Sequence, residues 1–287
     1  MTSKTRNNGK ERLNVGRIDY ANAWPLFHYL EPDEEAGIEI VYRVPAVLNR
    51  MLQEGDIQVS GISSFAYGLN DSQYLLLPHL SVGSEGNVNS IILFLKEPID
   101  RKPPQKIKVT TTSATSVNLL KIIMANYYGL DPVYEAAEPD LDSMLEDADG
   151  ALLIGDQAIH ASWSKQGLHA IDLGGLWNSW TGLAMTYAVV AVRRDAVEKS
   201  REAVEAVYRS MIASKRKSVS HLGPLIDKAC TELGGTAAYW QMYFTSLRYD
   251  FDEKQQAGLA LYFRYAKELG LLEHEVELRF YEHQSAE

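Results

Sequence analysis

The chain has 287 residues, enough to bury a real core and more than one core usually serves, so two lobes are expected. Apolar residues make up 46% and charged residues 23%, values of an ordinary folding sequence that exclude a disordered or low-complexity architecture. The formal net charge is −10, with basic residues scattered instead of gathered into a stripe, so nucleic acid is not an expected partner; a lone cysteine, Cys230, excludes an internal disulfide and any multi-cysteine metal site.

Met1 to Arg12 is polar and basic with no apolar run behind it, so neither an export signal nor a lipid anchor is expected. No stretch approaches the roughly 20 apolar residues of a membrane span. A cytoplasmic protein with no membrane partner is the expectation.

Leu13 to Tyr20 reads as a strand, followed by a turn from Ala21 to Leu26 that contains Pro25. Pro45 to Gln53 has helical spacing, with Val47, Leu48, Met51 and Leu52 on one face and Gly55 as the stop. Ile57 to Ile62 returns as a strand ending on Ser63 and Ser64, which completes a βαβ unit. Tyr74 to Leu80 and Ser90 to Leu95 are apolar, and between them Gly83, Ser84, Gly86 and Asn87 form a turn able to bring backbone close to a ligand. The Pro- and charge-rich stretch Asp100 to Lys106 reads as a lobe boundary.

A second unit starts with a strand at Lys106 to Thr111 and a helix carrying Val117, Leu120, Met124, Tyr127 and Tyr128, ended by Gly129. A helix over Asp140 to Ala148, a strand over Ala151 to Ile154 and a helix after Asp156 follow. Leu183 to Val192 is rich in β-branched residues and reads as the strand that carries the chain back to the first lobe. From Asp195 onward the pattern is helical. The reading is therefore an α/β, two-lobed periplasmic-binding-protein-like type II fold with a central ligand cleft. Residues 1–96 and 194–287 form lobe I, and residues 97–193 form the inserted lobe II.

Thr110 to Ser116 lies between a strand and the start of an amphipathic helix, where free backbone N–H groups and hydroxyls converge, and this favours a carboxylate or phosphate over a mere cap. Gly155 and Asp156 follow an apolar strand; Asp156 reads either as a cleft acid or as the cap of its own helix, and capping is the plainer reading. The seven histidines are scattered, and His274-Glu275 lacks the second histidine of a zinc-binding helix. No metal site is expected. Dinucleotide, P-loop and nucleophile-elbow motifs are missing. The acidic stretch Asp140 to Asp149 reads as a solvated helix face, and Tyr239, Trp240, Tyr243 and Phe244 as helix packing.

The segments Gly16-Arg-Ile-Asp-Tyr-Ala-Asn-Ala-Trp-Pro-Leu26, Thr112-Ser-Ala-Thr-Ser-Val117, Ala151-Leu-Leu-Ile-Gly-Asp156 and Asp172-Leu-Gly-Gly-Leu-Trp177, the last followed by Thr181-Gly-Leu183, resemble the chorismate dehydratases of the futalosine route to menaquinone. The resemblance runs from about Arg12 to Leu272. It implies a hydro-lyase that turns chorismate into 3-[(1-carboxyvinyl)oxy]benzoate without a metal or organic cofactor. By the same resemblance, Asn22 and Ser90 are the catalytic candidates. Ser63, Gly86, Asn87, Thr112, Ser113, Thr115, Ser116, Gly155 and Asp156 are the substrate-binding candidates for a small dicarboxylate.

None of the matched motif residues is a good general base. The expectation is that the enolpyruvyl carboxylate of the substrate takes the ring proton, with His28 or Asp156 as the alternative base. The chain departs from the family pattern at Ala21, where leucine is common, and at Ala184-Met185, where Pro-Phe is usual, which bears on the pocket wall. Two other readings stand beside it. One is a 1,4-dihydroxy-6-naphthoate synthase-like enzyme, against which Tyr20-Ala-Asn-Ala-Trp-Pro25 argues. The other is a non-catalytic cytoplasmic binding protein or sensor for a small carboxylate.

Overall fold

The structure, a computed structural model, describes residues 12–33, 37–164 and 167–283. The polar opening residues 1–11, read above for export signals, lie outside the described residues.

Two sheets organise the chain. The first contains β1 (Leu13–Ile18), β2 (Ile38–Arg43), β3 (Val59–Ser63), β4 (Tyr74–Ser84), β10 (Met185–Arg193) and the short β11 (Leu247–Arg248), in the order β11-β4-β10-β3-β1-β2. The second contains β5 (Ile91–Leu95), β6 (Lys106–Thr110), β7 (Val133–Ala137), β8 (Gly150–Ile154) and β9 (His169–Asp172), in the order β7-β6-β8-β5-β9. Strands β1, β2 and β3 run parallel, as do β6, β7 and β8, whereas β10 and β5 are antiparallel to their neighbours.

Sheet membership divides the chain differently from the expected boundaries at residues 96/97 and 193/194. Ile91–Leu95 pairs with β8 and β9, and Met185–Arg193 pairs with β3 and β4. The chain therefore crosses between sheets at residues 85–90 and again at 182–184. The Pro-rich stretch after Pro98 is a surface connection inside the second lobe. Composition marks exposed turns well, but a crossing strand carries no compositional label because both of its ends are buried.

Local chemistry explains the helices. Helix α2 (Pro45–Glu54) starts with proline in its first turn and stops at Gly55, whose φ of 90° is the left-handed end a glycine accepts without strain. Helices α3 (Ser64–Leu69), α4 (Ala114–Ile122) and α7 (Leu173–Thr181) are capped by the side chains of Ser63, Ser113 and Asp172. Helix α5 (Leu141–Glu146) is capped by Asp140, so part of the acidic stretch serves its own helix. Among the described residues the remaining α-helices are α1 (Trp24–Phe27), α6 (Gly155–Ser164), α8 (Arg194–Ser220), α9 (Gly223–Leu233), α10 (Ala237–Ser246) and α11 (Glu253–Glu268), and α4 runs on into a π-helical turn, Ile123–Tyr127.

Strand alternation sends Ile91, Leu93 and Leu95 into a core that is continuous with Val15, Ile62 and Val190 of the first sheet, while Ile92 and Phe94 join a smaller core on the opposite face of the second sheet. The lobes are also joined by polar contacts. The Phe65 N–H at the start of α3 donates to Thr115 Oγ1 at 3.0 Å, and Tyr262 Oη of α11 donates to the Thr115 carbonyl at 3.2 Å. Thr115 is fully buried, so its hydroxyl is a fastening between lobes. Thr115→Val keeps the shape and leaves a buried amide without an acceptor, which costs about 1–3 kcal/mol. Denaturant unfolding is expected to show a lower midpoint by that amount; an unchanged midpoint would contradict the fastening role.

Candidate functional site

The carboxyl ends of the parallel strands of both sheets meet at the seam between lobes, which is where open α/β sheets hold ligands. A cavity of about 50 Å³ lies there. Its wall combines Ile18, Tyr20, Asn22, Ala23, Ser63, Val82, Tyr187 and Ala188 from the first lobe with Ile91, Ser113, Ser116, Ile154 and Gly155 from the second.

Helix starts supply its polarity. Ser63 caps α3, Ser113 caps α4, Gly155 opens α6, and Asn22 sits in the single 3₁₀ turn Ala21–Ala23 that leads into α1. The hydroxyls of Ser63, Ser113 and Ser116 and the positive ends of α4 and α6 favour an anion, and among the described residues no lysine or arginine is in the wall. The apolar part, Ile18, Val82, Ile91, Ile154 and the ring of Tyr187, suits a flat organic body between those polar ends.

The anion grip expected over Thr110 to Ser116 divides once folded. Ser113 and Ser116 line the cavity, their hydroxyls 3.0 Å apart. Thr110 and Thr112 pair with each other at 2.8 Å, and Thr115 faces α3. Gly86, Asn87, Ser90, Thr112, Thr115 and Asp156 are outside the cavity wall, whereas Asn22, Ser63, Ser113, Ser116 and Gly155 are in it.

Ser90 is fully buried and accepts a hydrogen bond from Tyr243 Oη at 3.0 Å, while its own hydroxyl reaches the Val88 carbonyl only at 3.4 Å. Its carbonyl accepts from Gly155 N–H at 2.7 Å, which ties the catalytic candidate to the start of α6. Gly86, at φ 107°, accepts from Ser84 Oγ at 2.9 Å, and Asn87 lies against Gly175 of α7, where a Cβ would collide with its amide oxygen. These residues shape the crossing that delivers Ile91 to the cavity.

Asp156 lies within the first turn of α6, one residue past its start, and its carboxylate reaches across the seam to the Ala21 N–H at 3.4 Å. It is a group facing the other lobe, so capping, the plainer reading of the sequence, is not what the folded chain does with it. Burial pushes its carboxyl up to about 6, offset in part by the Ala21 N–H. Burial also raises the Tyr20 and Tyr187 hydroxyls, so both stay protonated near neutral pH. His28, the other candidate base, is outside the wall, and burial first, then the nearby Lys228, Arg17 and Lys217, lower its pKa.

Three residues that carry the site's geometry were not among the site candidates of the sequence reading, where Tyr243 was read as helix packing. Asp172 caps α7 through the Gly175 N–H and also accepts from the Val88 and Asn89 N–H groups at 3.1 and 2.7 Å, which holds the first crossing in place. Tyr187 bonds Ser84 Oγ at 2.8 Å from the cavity wall. Tyr243 is the partner of Ser90. Asp172 had a legible signal as a cap, Asp-Leu-Gly-Gly. The tyrosines had none, because only the fold brings residues 103 and 153 positions apart into contact.

The sequence and fold can be set beside known proteins. A family model described as menaquinone biosynthesis matches residues 13–268. A chorismate dehydratase of Thermus thermophilus is 33% identical over 90% of this chain and 95% of its own. A 1,4-dihydroxy-6-naphthoate synthase of the same organism is 23% identical over 91% of this chain and 96% of its own. Among solved structures, a protein of Archaeoglobus fulgidus superposes with a TM-score of 0.69 at 23% identity, covering 91% of this chain and 98% of that one. The periplasmic aliphatic sulphonate binding protein of Escherichia coli also gives 0.69, at 14% identity, covering 97% and 94%. The solved structures establish the periplasmic-binding-protein fold, and the match over residues 13–268 goes further: the chain belongs to the menaquinone biosynthesis family, as a homologue of chorismate dehydratase.

Proposed function

We propose that this protein is a cytoplasmic hydro-lyase that removes water from chorismate to give 3-[(1-carboxyvinyl)oxy]benzoate. The observation that carries the reading is the cavity itself, an apolar slot whose polar edges are helix starts and hydroxyls. Such a slot suits a ring bearing carboxylates, with Ser113 and Ser116 at the start of α4 holding one of them.

The reaction takes a proton from the ring carbon bearing the enolpyruvyl ether and a hydroxyl from its neighbour, and the two leave as one water. Aromaticity favours the product, so the enzyme's task is to assist proton removal and orient the leaving group. The ionisable side chains in the wall are Tyr20 and Tyr187, and burial keeps both protonated. Neither serves as a base near neutral pH. The substrate's own enolpyruvyl carboxylate fits that role, held against the ring by neutral donors. Asn22, a residue of the cavity wall, orients the leaving hydroxyl. Ser90 acts from the buried crossing beside Ile91, with Tyr243 donating to its oxygen and its own proton on a long 3.4 Å bond to the Val88 carbonyl that the substrate or the departing water can replace. The reading invokes no cofactor.

Incubating purified protein with chorismate and separating the mixture by chromatography is expected to show a new aromatic product and loss of chorismate. Tight binding of chorismate with no product would instead support a binding protein. Asn22→Ala is expected to lower kcat by about 10²- to 10³-fold with a smaller change in KM, the size seen when a donor aimed at developing charge is removed. Replacing Ser113 and Ser116 together by alanine is expected mainly to raise KM, since those hydroxyls hold substrate and transition state alike. Steady-state kinetics separate the two patterns, and wild-type kcat in Asn22→Ala would remove its assigned role.

A further inference from the structure

The turn that presents Asn22 is gripped from the opposite lobe at two points. Tyr20 and Ala21 follow β1 of the first sheet, whereas Thr112 follows β6 and Asp156 follows β8 of the second. The Asp156 carboxylate accepts from the Ala21 N–H at 3.4 Å. The Tyr20 ring packs beside Gly155, where a Cβ would touch it at 3.5 Å, and the Thr112 side chain stands near enough to the Tyr20 hydroxyl to favour its ionised form. Neither Thr112 nor Asp156 lines the cavity, while Tyr20, Asn22 and Ala23 do. Two groups expected to hold the substrate therefore hold the wall of the site.

We propose that Thr112 and Asp156 are positioning residues that latch the Tyr20–Ala23 turn onto the second lobe, so that Asn22 reaches its working position only when the lobes are closed. The inference rests on the reading that Asn22 acts on the substrate. The physical argument is one of placement. Asn22 is in a single 3₁₀ turn closed by the Ala23 N–H on the Tyr20 carbonyl at 2.9 Å, and its cap, Tyr20, adds no side-chain capping bond. The contacts of Tyr20 and Ala21 with Gly155 and Asp156 come from the other lobe, and opening the lobes breaks them. Closure and assembly of the reactive face thereby become one event.

The sign of the charge separates a latch from a substrate contact. A carboxylate touching a dianionic ligand repels it, so its removal would tighten binding. A latch does the reverse, because its loss lowers the fraction of protein in the closed state and weakens binding in proportion. The Asp156 carboxylate is faced by Asp19 and Tyr20 before the turn, by His160 on α6 itself, by Lys228 on α9, and by Tyr239 and Tyr243 on α10. Burial holds its pKa at about 6, so the strong, ionised acceptor is present above that pH and is lost as pH falls through it.

The test uses the full chain with Asp156→Ala, Asp156→Asn and Thr112→Val, and reads both kinetics with chorismate and hydrogen exchange of the backbone around Ala21. Asp156→Asn keeps an acceptor oxygen, so kcat/KM within about threefold of wild type is expected, with the fall below pH 6 removed. His160→Gln is expected to keep that fall, which assigns it to Asp156. For Asp156→Ala the expected loss of kcat/KM is about 10- to 100-fold, the range for a charge-assisted hydrogen bond, with faster exchange at Ala21. Thr112→Val is expected to change both readouts in the same direction by a smaller factor. An Asp156→Asn enzyme as inactive as Asp156→Ala would make Asp156 the base and overturn the latch, as would an Asp156→Ala protein with unchanged exchange at Ala21. If wild type makes no product from chorismate, the functional reading fails, and the exchange measurement still decides the latch.

Discussion

The antiparallel seat of β10 between β3 and β4 is the constraint on which the rest of the molecule depends. Met185 pairs with Ser84 and Thr186 with Gly83, so the strand that enters the second lobe and the strand that returns from it start side by side. Two crossings leaving adjacent strands make a narrow waist, and a narrow waist lets two lobes face each other across a cleft without separating. Most of what surrounds the waist serves to hold it. Tyr187 on β10 reaches Ser84 on β4, Asp172 ties the Val88 and Asn89 amides to the start of α7, and Gly258 of α11 lies so close to the Ala184 carbonyl that no side chain fits between them.

The cavity gains its character from that arrangement more than from any single reactive group. Parallel strands place their carboxyl ends, and therefore the helix starts that follow them, at the seam. The helix starts contribute positive potential without lysine or arginine side chains, which keeps the wall small, neutral and rigid. A periplasmic binding protein for aliphatic sulphonates shares the fold, so the fold by itself does not fix the use of the seam. Here the seam presents an amide, a set of hydroxyls, the buried Tyr187 and the half-buried Tyr20.

Sealing such a site has a cost that is visible in Asp156. A carboxyl at a buried seam is disfavoured in its charged form, and only the Ala21 amide and distant cations offset that. Tolerating the penalty makes sense where the group does something between lobes that a neutral residue would do less well. The strained φ of 60° at Asn89, immediately before Ser90, is a second local cost, held by Asp172 on the backbone side and by Ser246 at 3.2 Å on the side-chain side.

The sequence alone determined the α/β class, the βαβ start, the Gly55 helix stop, the strand that returns to the first lobe and the anion-favouring start of α4, because each is written in local periodicity, capping or turn chemistry. It also carried the family, since four ordered segments are specific where one is not. It left unread β2, β7 and β9, short strands whose partly exposed residues show little apolar contrast. The tertiary structure alone decided which hydroxyls of Thr110 to Ser116 meet the cavity and which fasten the lobes. It likewise turned Asp156 from a presumed cap into a contact with Ala21, and placed Tyr243 on Ser90. Those outcomes depend on which surface each side chain faces after two sheets close on one another, and no window of local sequence contains that information.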